Sequence, residues 1–192
     1  MKEKKLQTKD LVMAGAFAVL YVGIMMILAT VLAFIPGLIL LTPLVAGIIL
    51  GPVYHLYLSK VPKNGAVLIL ALLTGLTMIT SSIFVLVYLL VLGVIAQIIL
   101  IRTDYSAKGI AASYYVMAMD GIGPLVMIYI GKQALLESFA SYYGEAYAEK
   151  MDKLTPTWSL LVLFALALAG AFIGNRLGAK MNAKHFRKAG VA

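Results

Sequence analysis

Residues 11–32 read LVMAGAFAVLYVGIMMILATVL, twenty-two positions without a single charged side chain. A helix needs roughly 20 apolar residues to cross a hydrocarbon core about 30 Å thick. This stretch is therefore long enough to span a bilayer, and the basic head Lys2, Lys4, Lys5 and Lys9 precedes it. It exceeds the apolar length of about 7–15 residues found in secretory signals, and no small-x-small cleavage site ends it. The expectation is a retained first span, Leu11–Leu32. The same measure outlines five more: Leu38–Leu58, Ala66–Thr80, Ile83–Ile101, Gly109–Ile130 and Thr157–Leu177. The fold class expected is all-α and integral to the membrane, with six transmembrane helices in one domain covering residues 1–192.

Charge placement gives an independent reading. Thirteen of the sixteen Lys and Arg residues fall in four segments that an even number of spans puts on one side. They are the basic head, the Lys60 and Lys63 loop, the Arg102 and Lys108 loop, and the tail with Arg176, Lys180, Lys184, Arg187 and Lys188. Short loops rich in Lys and Arg stay cytoplasmic, so both termini are expected inside. Lys132, Lys150 and Lys153 share the remaining loop with Glu137, Glu145, Glu149 and Asp152. The third span is short and leads through Thr80-Ser81-Ser82 straight into the fourth. A re-entrant hairpin is the rival reading there, although it disturbs the charge arithmetic.

Composition excludes several classes. The chain of 192 residues is 62% hydrophobic and 12% charged, against roughly 25% charged in soluble domains. The net charge of +8 follows the positive-inside pattern and forms no basic stripe among aromatics, so no nucleic-acid partner is expected. With no cysteine, disulfides and thiolate chemistry are absent. Phosphate-cradling Gly-rich loops, HExxH and GxSxG motifs are missing too, so neither an enzyme nor a bound cofactor or metal is expected. No span carries the paired carboxylates of a proton-driven pump.

Asp120 is the acidic residue that falls well inside a span, in Asp120-Gly121-Ile122-Gly123-Pro124. Ionisable groups at that depth face a cavity or a partner, and broken helices line transporter sites. A kinked packing helix whose Asp binds a neighbouring hydroxyl is the plainer alternative. Thr42, Ser81, Ser82, Tyr88 and Trp158 cluster toward the uncharged side, where they could line a pocket with Asp120. Trp158 also suits an interfacial anchor. Leu135, Leu136, Phe139, Tyr142 and Tyr143 recur at helical spacing, which points to one short amphipathic helix, either an anchor or a lid. His55 is expected at an interface rather than on a metal. Two small-residue stripes, Gly170-Gly174-Gly178 and Ala14-Ala18, allow close helix approach, inside the chain or against a partner.

The head Thr8-Lys9-Asp10-Leu11, continued by Val12-Met13-Ala14-Gly15-Ala16-Phe17-Ala18, resembles the start of the substrate-binding S components of energy-coupling factor (ECF) vitamin transporters. The layout of the whole chain is similar as well, down to the apolar first outer loop ending in Ile35-Pro36-Gly37. Within that superfamily it looks most like a subgroup linked to hydroxymethylpyrimidine or vitamin B6 uptake. The resemblance implies a multi-pass protein of the bacterial plasma membrane that captures a vitamin or precursor from outside. Asp120, Trp158, Tyr88, Thr42, Ser81 and Ser82 would serve the pocket. Ala14 and Ala18 would dock on a transmembrane coupling subunit driven by two cytoplasmic ATPases. A stand-alone secondary transporter or channel for a small solute is the alternative.

Overall fold

The computed structural model describes residues 6–79 and 82–183, and among these the secondary structure is entirely helical. Nine α-helices follow in order: α1 (Thr8–Ala33), α2 (Thr42–Lys60), α3 (Ala66–Thr77), α4 (Ile83–Arg102), α5 (Ala107–Met117), α6 (Gly123–Ile130), α7 (Lys132–Tyr143), α8 (Glu145–Leu154) and α9 (Ser159–Met181). Short 3-10 turns, Leu38–Leu41 and Ala118–Ile122, lead into α2 and join α5 to α6.

Among the described residues, five helical stretches are long and apolar enough to cross a membrane: Thr8–Ala33, Leu38–Lys60, Ile83–Arg102, Ala107–Ile130 and Ser159–Met181. Their bounds match five of the expected spans to within a few residues. The third expected span is shorter than anticipated, because α3 has 12 residues and rises only about 18 Å. It ends at Thr77, short of the expected Thr80, and Thr80 and Ser81 lie outside the described residues. It packs along α4. Gly93 of α4 meets Ala71 of α3 so closely that a Cβ there would sit 2.6 Å from the Ala71 methyl.

Side-chain bonds gather the basic segments at one end of the bundle. The Tyr105 hydroxyl accepts from Gln97 Nε2 at 2.7 Å and donates to the Lys63 carbonyl at 2.6 Å, joining the loops on either side of α3–α4. Asn182 Nδ2 donates to Ser59 Oγ at 2.7 Å, which brings the end of α9 beside the end of α2. Leu6 lies against Gly65, so the N-terminal segment is there too. The described members of the basic set thus share this basic end. Lys2, Lys4, Lys5, Lys184, Arg187 and Lys188 lie outside the described residues.

The opposite end carries a helical hairpin rather than the single amphipathic helix expected. Gly144 stops α7 at a φ of +89°, a region open to glycine because it has no Cβ, and α8 folds back on α7. Lys132 Nζ closes the base of the hairpin on Asp152 at 2.6 Å, an exposed pair worth at most about 1 kcal/mol. Apolar contact does more. Leu135, Leu136 and Phe139 pack with Tyr147 and Met151 onto Ile122, Leu125 and Ile128 of the broken helix and Leu163 and Ala167 of α9. Tyr142, expected on that face, is 82% exposed. Ile39 and Leu40 join the same cluster, so the 3-10 turn before α2 and the hairpin cover this end together.

Candidate functional site

The break in the fifth span follows from its residues. Pro124 has no N–H to return to the Asp120 carbonyl; the Gly123 amide bonds that carbonyl instead, giving a tighter 3-10 turn. Gly121 admits α2 at close range, since a Cβ there would lie 3.0 Å from Pro43 Cα. Gly123 does the same for Tyr88, whose ring would be 3.4 Å from an added Cβ. The turn is thus wedged between the start of α2 and the side of α4.

Asp120 is buried in this turn at 3% exposure. Its Oδ2 accepts from the Tyr21 hydroxyl of α1 at 2.6 Å. Tyr88 donates to the Met119 carbonyl at 3.0 Å, one residue before the acid. Thr42 is buried beside Pro43, and its Oγ1 has no hydrogen-bond partner among the described residues. A buried hydroxyl without a partner costs about 1–3 kcal/mol. The turn thus brings together Asp120, Tyr88 and Tyr21, and packs on Pro43, the neighbour of Thr42.

The other expected pocket residues lie apart. Trp158 is 65% exposed at the start of α9, the position of an interfacial anchor. Ser82 caps α4, accepting from the Phe84 amide at 3.2 Å. Ser81 lies outside the described residues. The two alanines expected to dock a partner need a larger correction. Ala14 has no exposed surface and Ala18 has 3%; both pack in the core with Tyr21 and Met25. Side chains sealed inside the chain offer no contact to a second protein in this arrangement. The stripe instead lets α1 approach α2 and α3.

The α9 stripe serves internal packing. Gly170, Gly174 and Gly178 meet Gly47, Gly51 and His55 of α2, again four apart. Backbone touches backbone: a Cβ on Gly47 would lie 2.9 Å from the Ala171 amide nitrogen. His55 is buried and bonds Asn175 Oδ1 at 2.8 Å, while Asn175 Nδ2 donates to the Ala111 carbonyl at 3.0 Å. This locks α2, α5 and α9 together and corrects the expectation of an interfacial histidine.

Sequence reasoning missed the buried tyrosines. Tyr54 bonds Ser113 at 2.9 Å, Tyr57 donates to the Ala66 carbonyl at 2.7 Å, and Tyr114 donates to the Gly47 carbonyl at 2.6 Å. The signal for Tyr21 was present, since Ala14, Ala18, Tyr21 and Met25 fall on one helical face. On the hairpin, Tyr147 stacks on Tyr143 at 4.7 Å between ring centroids, and its hydroxyl is buried without a partner among the described residues. Burial, reinforced by the neighbouring Tyr143, raises its phenol above the ordinary value. An open groove of about 380 Å³ between α7 and α8, lined by Lys132, Glu137 and Glu145 among others, shares no residue with the Asp120 cluster.

No curated protein and no solved structure matches the chain. A family model does, over residues 8–188. The multi-pass architecture and this match across nearly the whole length lead to one conclusion: the chain belongs to the family described as hypothetical bacterial integral membrane protein (Trep_Strep).

Proposed function

We propose that this membrane protein is the substrate-capture subunit of an ATP-driven, ECF-type importer, binding a small vitamin or vitamin precursor of the hydroxymethylpyrimidine or vitamin B6 kind. The observation that carries the reading is Asp120, a buried carboxylate in a helix break, held by the Tyr21 hydroxyl of α1. Polar groups are expensive at such depth and are retained where a solute uses them. On this reading the chain crosses six times, with α3 and its turn completing the third crossing, and the basic end faces the cytoplasm. The hairpin end faces outward and covers the capture site.

Energy comes from elsewhere, because the sequence carries neither a nucleotide-binding loop nor a series of buried charges. A transmembrane coupling subunit and, through it, two cytoplasmic ATPases would supply it; no catalytic role is assigned to this chain. Docking would use the outward face of α1, where Val12 and Val19 are 70% and 75% exposed and Gly15 and Gly23 have open space beside them. The buried acid within the fifth span also fits a second reading, a stand-alone cation-coupled carrier.

A thermal-shift screen of the purified protein against B vitamins and their pyrimidine and pyridine precursors tests the capture reading. A true ligand at 100 times its Kd adds about 2.7 kcal/mol. That raises the melting temperature by roughly 5–10 °C for a chain of this size. A panel with no stabilising compound would count against capture.

A further inference from the structure

Helix α9 buries one face and leaves the other bare. Gly170, Gly174 and Gly178 press against α2. Arg176 lies midway between the last two, which at about 100° per residue puts it on the opposite side of the helix. Its side chain is exposed there, more than a turn before α9 ends at Met181. An arginine in that place borders the hydrocarbon, where an unmatched charge is costly. Among the described residues no carboxylate pairs with it. Its guanidinium lies 4.0 Å from the centre of the Phe172 ring, one turn deeper, and this cation–π contact holds it along α9. Two further cations border it. Lys180 is exposed one turn on along the same face. Lys108 comes from α5: Asn175 Nδ2 donates to the Ala111 carbonyl at 3.0 Å, and Lys108 is exposed one turn before Ala111. Of the described acids at this end, Asp10 is buried and accepts from the Gln7 amide at 2.9 Å, and Asp104 is engaged. Toward the middle of α9, Phe172 and Leu168 continue from Arg176 as an exposed apolar strip.

We propose that α5 and α9 form a site for an anionic phospholipid of the leaflet at the basic end. The lipid phosphate meets Arg176, Lys108 and Lys180, and an acyl chain lies along Phe172 and Leu168. Charge selects the occupant, because three cations without a paired carboxylate attract an anion. The apolar strip leading away from them selects an anion that carries hydrocarbon. Arginine suits the central place, since its planar fork bonds two phosphate oxygens at once. Basic recesses between transmembrane helices on the cytoplasmic side hold anionic headgroups in this way. A lipid so placed bridges α5 and α9 beside the Asn175 bond. The proposal stands apart from the capture reading, because it uses no residue of the Asp120 turn.

Native mass spectrometry of the full chain in detergent, titrated with phosphatidylglycerol or phosphatidylcholine, tests this. Both lipids carry a phosphate and acyl chains, but choline cancels the charge of the second. Wild type should bind phosphatidylglycerol at least tenfold tighter. A basic side chain near the surface contributes about fivefold, so Arg176→Gln should lower that preference by about this factor. Lys108→Gln/Lys180→Gln should abolish it. Lys60→Gln/Lys63→Gln, at the same end but away from α5 and α9, should leave it within twofold. Should Arg176→Gln fail to fold, the Lys108→Gln/Lys180→Gln variant, which keeps the Arg176–Phe172 contact, decides alone. Equal binding of the two lipids, or a preference that survives both α5–α9 variants, overturns the proposal. An equal loss in Lys60→Gln/Lys63→Gln overturns it too, since it reveals a diffuse basic surface instead of a site. Millimolar inorganic phosphate should leave the lipid bound; its displacement would assign the cations to free phosphate and overturn the lipid.

Discussion

The crossing of α2 and α9 offers the sharpest test of the packing, because glycine backbones meet there without side chains between them. A methyl on Gly51 would overlap the Gly174 backbone, and one on Gly47 would stop 2.9 Å from the Ala171 nitrogen and the Gly170 carbonyl carbon. Ordinary contacts run to about 3.5–4.0 Å, so Gly47→Ala must force the helices apart by roughly 0.6–1 Å, and Gly51→Ala by more. That separation strains two bonds at the crossing, Tyr114 to the Gly47 carbonyl and His55 to Asn175. Overpacking of this kind costs about 1–3 kcal/mol, or roughly 2–12 °C in melting temperature for a chain of this size. Gly15→Ala, in open space on α1, is the control and should be neutral or slightly stabilising through helix propensity. The assay is thermal unfolding in one detergent, followed by intrinsic fluorescence or static light scattering. The expected order of destabilisation is Gly51→Ala, then Gly47→Ala, with Gly15→Ala at or above wild type. Equal melting temperatures for Gly51→Ala and Gly15→Ala would refute the crossing.

Other consequences follow from burial and topology. Ala14→Leu adds three carbons where no surface is exposed and should lower the stability of the isolated chain by about 1–3 kcal/mol; an unchanged melting temperature would restore the alanine face to docking. Tyr147→Phe removes a buried hydroxyl that has no partner among the described residues. It should be neutral or stabilising by up to about 1–3 kcal/mol, and a clear loss in thermal melts would reveal a hidden partner. The chain has no cysteine, so single cysteines at Asn64 and at Phe34 can be labelled without background. A membrane-impermeant maleimide on intact cells should label Phe34→Cys and spare Asn64→Cys; the reverse pattern would invert the orientation.

The span ends of α1, α2, α4 and α9 were legible because hydropathy is a local property that survives without knowledge of neighbours. The break at Asp120 was legible for the same reason, as Gly121, Gly123 and Pro124 act on their own backbone. Direction was not legible. Ala14 and Ala18 read as a flat face, yet nothing local says whether such a face turns inward or out. Likewise Gly170, Gly174 and Gly178 announced a close helix approach, but their partners Gly47 and Gly51 lie more than a hundred residues away. Gly144 was visible as a helix stop between Tyr143 and Glu145, and a stricter use of that signal would have divided the hairpin in two. Of the residues expected to share a pocket, Asp120 and Tyr88 come together at the broken turn, whereas Trp158 lies exposed at the start of α9. Tyr21 escaped because its role depends on a partner 99 positions along the chain.

The central claim is that the chain captures a solute and depends on other subunits to move it. Uptake of a labelled ligand, chosen by the thermal-shift screen, tests this most directly. It would be measured in cells lacking their own uptake route that express the chain alone, with the coupling subunit and ATPases, or with nucleotide-binding-defective ATPases. The account predicts ligand accumulation only with the complete, active set, and surface binding without accumulation in the other two cases. Accumulation by the chain alone would contradict it and establish a self-sufficient carrier.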